Sequence, residues 1–265
     1  MGIFNAHYNK DKLTKMDEYK IDPTISYDMV ELPSKGIYYT NKKKSLRVAY
    51  LTGPDENILA SPNLASSGEI INELLKRKIL DRDIKFEEIV EEDRQAVLIF
   101  LRNTSYGTEY KLTGLIDPKT NLPFDTSVDL SILQIKDFNL TEDVNGEYPY
   151  FMEKSNLNVT FKFLTKAQED EVEKIKTSWN GVGVAPIASK PIEMMIKSVN
   201  GNKDMMEIHN FVEKIPIKDQ QDFRKFVKDN KPGLDLVQKV LTPSGEYIQI
   251  FIGFGVEFFR PFYGI

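Results

Sequence analysis

Along this chain, stretches in which apolar residues recur at every second position alternate with stretches in which they recur every third or fourth. The first pattern predicts half-buried strands and the second amphipathic helices. Residues 1–25 are polar and Lys-rich and read as an arm. "YDMVELPSKGIYY" gives a short alternating strand on Val30 and Leu32. It is followed by a turn at Pro33–Gly36, where Pro fixes φ and Gly supplies a positive one. "KSLRVAYLT" (44–52) places Leu46, Val48 and Tyr50 on one face of the next strand. A helix from about Ser67 carries the stripe Ile70, Ile71, Leu74, Leu75 and Ile79, with Ser66 or Ser67 as its cap. The strongest helix is "EEDRQAVLIFLRNTSYG". Acidic residues crowd its start, where the helix dipole favours them, and Gly107 stands at its expected stop. Its unbroken run Ala96–Leu101 predicts enclosure on most sides.

Further along, "EYKLTGLI" and "LPFDTSVDLSILQI" flank a turn at "DPKTN", and "YPYFME" pairs with "LNVTFKFLT". Thr165 caps the charged helix "KAQEDEVEKIKTSW", and "NGVGVAPIASKP" is a Gly/Pro/Ala-rich break. Helices are expected in "PIEMMIKSVNG", "KDMMEIHNFVEKI" and "DQQDFRKFVKDN", before a closing β segment, "YIQIFIGFGVEFF". The expected class is α+β, with mixed helices and antiparallel β-hairpins. The expected division is a flexible arm over 1–25, an α+β domain with β-hairpins over 26–180, a linker over 181–190, and a helical region closed by a C-terminal β segment over 191–265.

Composition narrows the function classes. A chain of 265 residues, 41% hydrophobic, can bury one generous core or two modest ones. The net charge of −5, with acids and bases interspersed, argues against a nucleic-acid sheath, which needs a basic face. No stretch approaches the ~20 apolar residues of a membrane span, and the first residues lack the apolar centre of a signal peptide. With no cysteine, disulfides, thiolate catalysis and Cys-ligated metals are excluded. The two histidines, His7 and His209, are not at metal-binding spacing, and no serine sits in a nucleophile elbow. The acids of "FEEIVEEDR" read as helix-start charges, and "GVGVAPIA" lacks the third Gly and the βαβ unit of a dinucleotide site. No catalytic residue, cofactor or metal is expected. What stands out is "FGVEFFRPFYGI", with five aromatic residues in twelve positions. Phe258, Phe259, Arg260 and Pro261 form a candidate partner-binding anchor, since aromatics and Arg are enriched at interface hot spots. The competing reading is a closing core strand. Strand alternation would satisfy both, turning one Phe inward and the other toward a partner.

Three segments in order, "ELPSKGIYY", "GPDENILASPNLASSGEIINELLK" and "EEDRQAVLIFLRNTSYGTEY", resemble the baseplate hub assembly family of contractile-tailed, T-even-like bacteriophages. The later "IKSVNGNKDMMEIHNFVEKIPIKDQQDFRKFV" and "FFRP" extend the resemblance over roughly residues 26–265. These are scaffold motifs rather than chemistry. The resemblance implies a non-enzymatic phage tail protein acting in baseplate hub assembly, as a hub subunit or an assembly chaperone. Its partners would be other hub or tail proteins, with self-association left open. Its place would be the host cytoplasm during assembly and, for a subunit, the virion tail baseplate. It also implies Cys-x-x-Cys knuckles at two places, which here read "DPKTNLPF", with Asp117 and Thr120, and "LTPSGEYIQI", with Leu241 and Ser244. Zinc is therefore not expected. Either these are ordinary turns, or packing by Leu241, Phe124 and the aromatic tail takes over a lost staple. Two rivals stand beside this reading. One is a tail-associated hydrolase with paired carboxylates across a cleft. The other is a nucleic-acid module using Lys42, Lys43, Lys44 and Arg47.

Overall fold

The computed structural model of the chain describes residues 22–60, 70–181 and 183–259. The arm up to residue 21, the cap expected at Ser66 or Ser67, and Arg260 and Pro261 lie outside the described residues. The class is α+β, built among the described residues from antiparallel strand pairs and seven helices.

β1 (Tyr27–Glu31) and β2 (Ser45–Ala49) pair antiparallel, and α1 (Gly53–Leu59) and α2 (Ile70–Lys78) follow. α3 (Glu91–Tyr106) runs through the middle of this region with Val97, Leu98 and Leu101 buried, as its apolar run predicts. Next come the hairpin β3 (Glu109–Ile116) and β4 (Pro123–Asp129), then β5 (Tyr148–Met152) and β6 (Leu157–Phe161). α4 (Lys166–Ser178) starts at Thr165, where Thr165 and Gln168 form a reciprocal capping box. α5 (Ser189–Met195) gives way to β7 (Ile196–Val199), which was expected as helix. It joins β6 as the third strand of a β5–β6–β7 sheet, with Thr160 opposite Ser198. α6 (Met205–Lys214) and α7 (Ile217–Asn230) pack near that sheet, and β8 (Val237–Leu241) and β9 (Tyr247–Phe251) form the last hairpin.

The buried apolar side chains form two cores, and the break at 181–190 does not separate them. The first core draws on Val30 to Leu130 and again on Leu234 to Phe259, so β8, β9 and the tail close the region begun by β1. The second core, from Tyr148 to Phe223, contains both β6 and α7, which lie on opposite sides of that break. It is an insert in the chain of the first. Its entry and exit pair with each other: Lys136 N donates to the Gly233 carbonyl (2.8 Å) and Asp235 N to the Gln134 carbonyl (2.9 Å). Burial of hydrophobic surface explains the difference from the sequence reading, because composition marks where a chain loops but not which core each flank joins.

Candidate docking surface

The sequence motifs that carry the resemblance are fixed internally. Asp93, at the start of α3, is buried and accepts from Ser34 N (2.9 Å), Ser34 Oγ (2.6 Å) and Tyr39 Oη (2.5 Å). The Pro-Ser-Lys-Gly turn is thereby tied to the strongest helix. Burial pushes the Asp93 carboxyl above its ordinary range, against the pull of those hydrogen bonds. Next to it, Arg94 lies over the Phe86 ring and donates to the Ile89 and Phe86 carbonyls. Asp55 of α1 receives the Thr52 hydroxyl and amide and is ion-paired with Lys78 of α2.

The other buried acids do similar work. Asp219 of α7 accepts from Lys154 N, Ser155 N and Ser155 Oγ at 2.6–2.9 Å, fixing the β5–β6 turn. Asp81 holds Lys43 (2.9 Å) and Arg47 (2.9 Å), Lys43 also meets Asp83 (2.8 Å), and Lys42 lies 3.7 Å from Glu142, so three of the four cations of the basic segment already have a carboxylate partner. Glu92 and Glu169 approach one another, but Lys231 Nζ stands between them at 2.6 and 2.8 Å. This group is a bridged tie, one ammonium shared by two acids, rather than two carboxylates facing across open space. Among the described residues no three His, Asp or Glu side chains are grouped to hold a metal ion. His209 sits at the solvent edge with Nδ1 3.3 Å from Glu193 Oε2.

The two knuckle positions do meet. Asp117, buried at the β3–β4 turn, accepts from Lys119 N and Thr120 N of its own turn. It also accepts from Ser244 N (3.0 Å) and Ser244 Oγ (2.9 Å) of the β8–β9 turn, 127 residues on. Burial alone would raise the Asp117 carboxyl, but these donors overcome it and hold it below the ordinary range. The staple is thus a single carboxylate. It is not the packing expected of Leu241, whose side chain is more than half exposed.

The aromatic tail departs from expectation. Residues Val256–Phe259 form a 3-10 turn instead of a strand, so the predicted alternation does not operate. Phe258 is 1% and Phe259 0% exposed, both inside the first core, and Phe258 packs against Tyr110 and Phe254. No outward ring is left at either position. The fastening group is Arg102 of α3, which the sequence reading passed over. It is buried, and its guanidinium donates to the carbonyls of Phe258 (3.0 Å), Gly107 (2.5 Å) and Glu109 (3.0 Å). Only an arginine can serve three carbonyls from one planar head.

Exposed apolar side chains gather elsewhere, on the last hairpin. In its register Val237 is opposite Phe251 and Leu241 opposite Tyr247, with Lys239 and Gln249 between. These pairs share one face, and it is uncovered: Tyr247 is 71% and Phe251 66% exposed. The other face, with Val240 and Ile250, is buried in the first core. Ile116 and Leu122 flank the stapled β3–β4 turn and are also exposed. β4 lies against β8 and the two turns are hydrogen-bonded, so the two hairpins adjoin. Large apolar side chains grouped in this way mark interaction surfaces.

The comparisons with known proteins agree with a tail role. A family model described as T4 bacteriophage base plate protein matches residues 25–246. An uncharacterized protein of Methanocaldococcus jannaschii is 27% identical over 193 residues, 59% of this chain and 51% of its own. The chain therefore spans about half the length of that curated relative. No solved structure matches. With the family model covering most of its length, from the strand before the Pro-Ser-Lys-Gly turn to the last hairpin, the chain belongs to the T4 bacteriophage base plate protein family.

Proposed function

We propose that this baseplate protein acts, without catalysis, in assembly of the baseplate hub, and that it engages a hub or tail protein through the outer face of the β8–β9 hairpin. The observation that carries the reading is the pair of exposed cross-strand contacts, Val237 with Phe251 and Leu241 with Tyr247, on a two-stranded sheet whose other face is buried. The non-enzymatic part is supported by the buried acids, which serve turn amides and ion pairs.

A subunit must keep this face permanently covered, whereas an assembly chaperone covers its partner's surface and leaves. Mass spectrometry of purified virions separates the two: the chain is present for a subunit and absent for a chaperone. Pull-down of hub proteins from infected cells tests the shared claim. Loss of a partner on replacing Tyr247 and Phe251 with Ser supports it, and full retention overturns it.

A further inference from the structure

Between the two cores lies a cleft of about 690 Å³. Ile37, Tyr38 and Lys42, from the turn after β1, line one side, and Lys162 and Phe163, just past β6, with Lys197 of β7, line the other. Thr165 and Gln168, at the amino end of α4, also face it, adding the positive end of a helix dipole. The charges in this cleft are not balanced. Lys197 Nζ donates only to the Met194 carbonyl (2.6 Å) and Lys162 Nζ to the Asn145 carbonyl (3.2 Å). Among the described residues neither has a carboxylate within ion-pair distance. Glu142, the one acid lining the cleft, is 3.7 Å from Lys42 and receives the Tyr148 hydroxyl. Burial, and after it the positive charge of Lys162, hold the Lys197 ammonium below the usual lysine range. Elsewhere the half-buried cations Lys43, Lys78 and Lys231 each have a carboxylate. Lys197, half-buried beside the exposed Lys162, has none, a local conflict that an anion from outside would relieve.

We propose that this cleft binds an acidic peptide segment of another protein, its carboxylates spanning Lys162 and Lys197 and an apolar side chain resting on Ile37 and Phe163. A single small anion occupies only a fraction of such a volume, since a water takes about 30 Å³, and half the wall is apolar. The inference rests on the charge imbalance of the cleft and not on the baseplate reading or the hairpin face.

The test titrates the full-length chain with acetyl-Glu-Phe-Asp-Glu-amide, following lysine ε-methylene signals by NMR, with inorganic phosphate and oligothymidylate in parallel. The expected result is saturable peptide binding that raises the titration midpoint of Lys197. Lys162→Gln and Lys197→Gln should each weaken it roughly tenfold, in line with loss of a charge-assisted hydrogen bond, while Lys119→Gln leaves it unchanged. Thermal melts of the variants establish that they fold. Absence of peptide binding, binding undiminished in both cleft variants, or phosphate or oligothymidylate binding as tightly as the peptide would overturn the proposal. Because the Tyr247 and Phe251 variants leave the cleft intact, failure here and failure of the hairpin interface are read independently.

Discussion

At the scale of single residues, the carboxylate of Asp117 replaces what the family resemblance implies as a pair of metal knuckles. Its folded pKa is depressed, so its contribution is fully present above the unfolded value of about 3.9 and is lost as pH falls through the folded one. Asp117→Asn removes the charge but keeps one acceptor. Its melting temperature should fall below wild type at pH 7, and the gap should narrow as pH falls below the unfolded value and the wild-type carboxyl protonates. A gap of constant size across that range would show that the charge is irrelevant. Phe258 and Phe259 carry a second expectation. Each replacement by Ala should cost about 3–5 kcal/mol in urea unfolding, since both rings are enclosed. A near-neutral effect at either position would mean that its ring is not in the core. The positions of these aromatics were legible as important, but their direction was not. A 3-10 turn and a distant arginine set it, and neither leaves a periodic trace in the sequence.

Elements divide by how much of their environment they carry within themselves. α3, α4 and the β1–β2 pair were legible because an apolar stripe or alternation, a cap and a stop agree within one segment. β7 was not, because four residues following a helix carry too little pattern, and pairing with β6 decided the outcome. The hairpin face was hidden for another reason. Val237, Leu241, Tyr247 and Phe251 are as apolar as Val240, Ile248 and Ile250, and alternation says which residues share a face but not which face is covered. The turn after β1 offers a sharper test. At Gly36, φ is +79° and a Cβ would lie 2.6 Å from the Lys42 carbonyl carbon. At Gly245 φ is +85° with nothing within 4 Å. Gly245→Ala should cost about 1–2 kcal/mol from backbone strain alone, and Gly36→Ala distinctly more. Equal urea midpoints for the two variants would show that the turn relaxes freely.

For the whole molecule, the tie between the cores is Lys231, held by Glu92 of α3 and Glu169 of α4. Burial alone would lower its ammonium, but the two carboxylates overcome that and raise it. Lys231→Met leaves both acids facing each other in a half-buried place. Urea unfolding followed by far-ultraviolet circular dichroism, expected as a single transition for the wild type, should then split into two. A single transition in the variant would mean that the paired entry and exit strands suffice to couple the cores.

The inserted second core also bears on how the chain is made. Residues 30–130 cannot finish their own core until residues 234–259 have been added, because Leu236, Val240, Ile252 and both phenylalanines belong to it. The second core is complete by Phe223. At about 5–20 residues per second of synthesis, the first core waits on the order of ten seconds after residue 130 for its closing segment, and for the last few of those seconds the residues of the second core are all in place. A nascent chain of this design is adhesive for a defined interval on the ribosome, and the hairpin that ends the interval is the same one that presents Tyr247 and Phe251 to the outside.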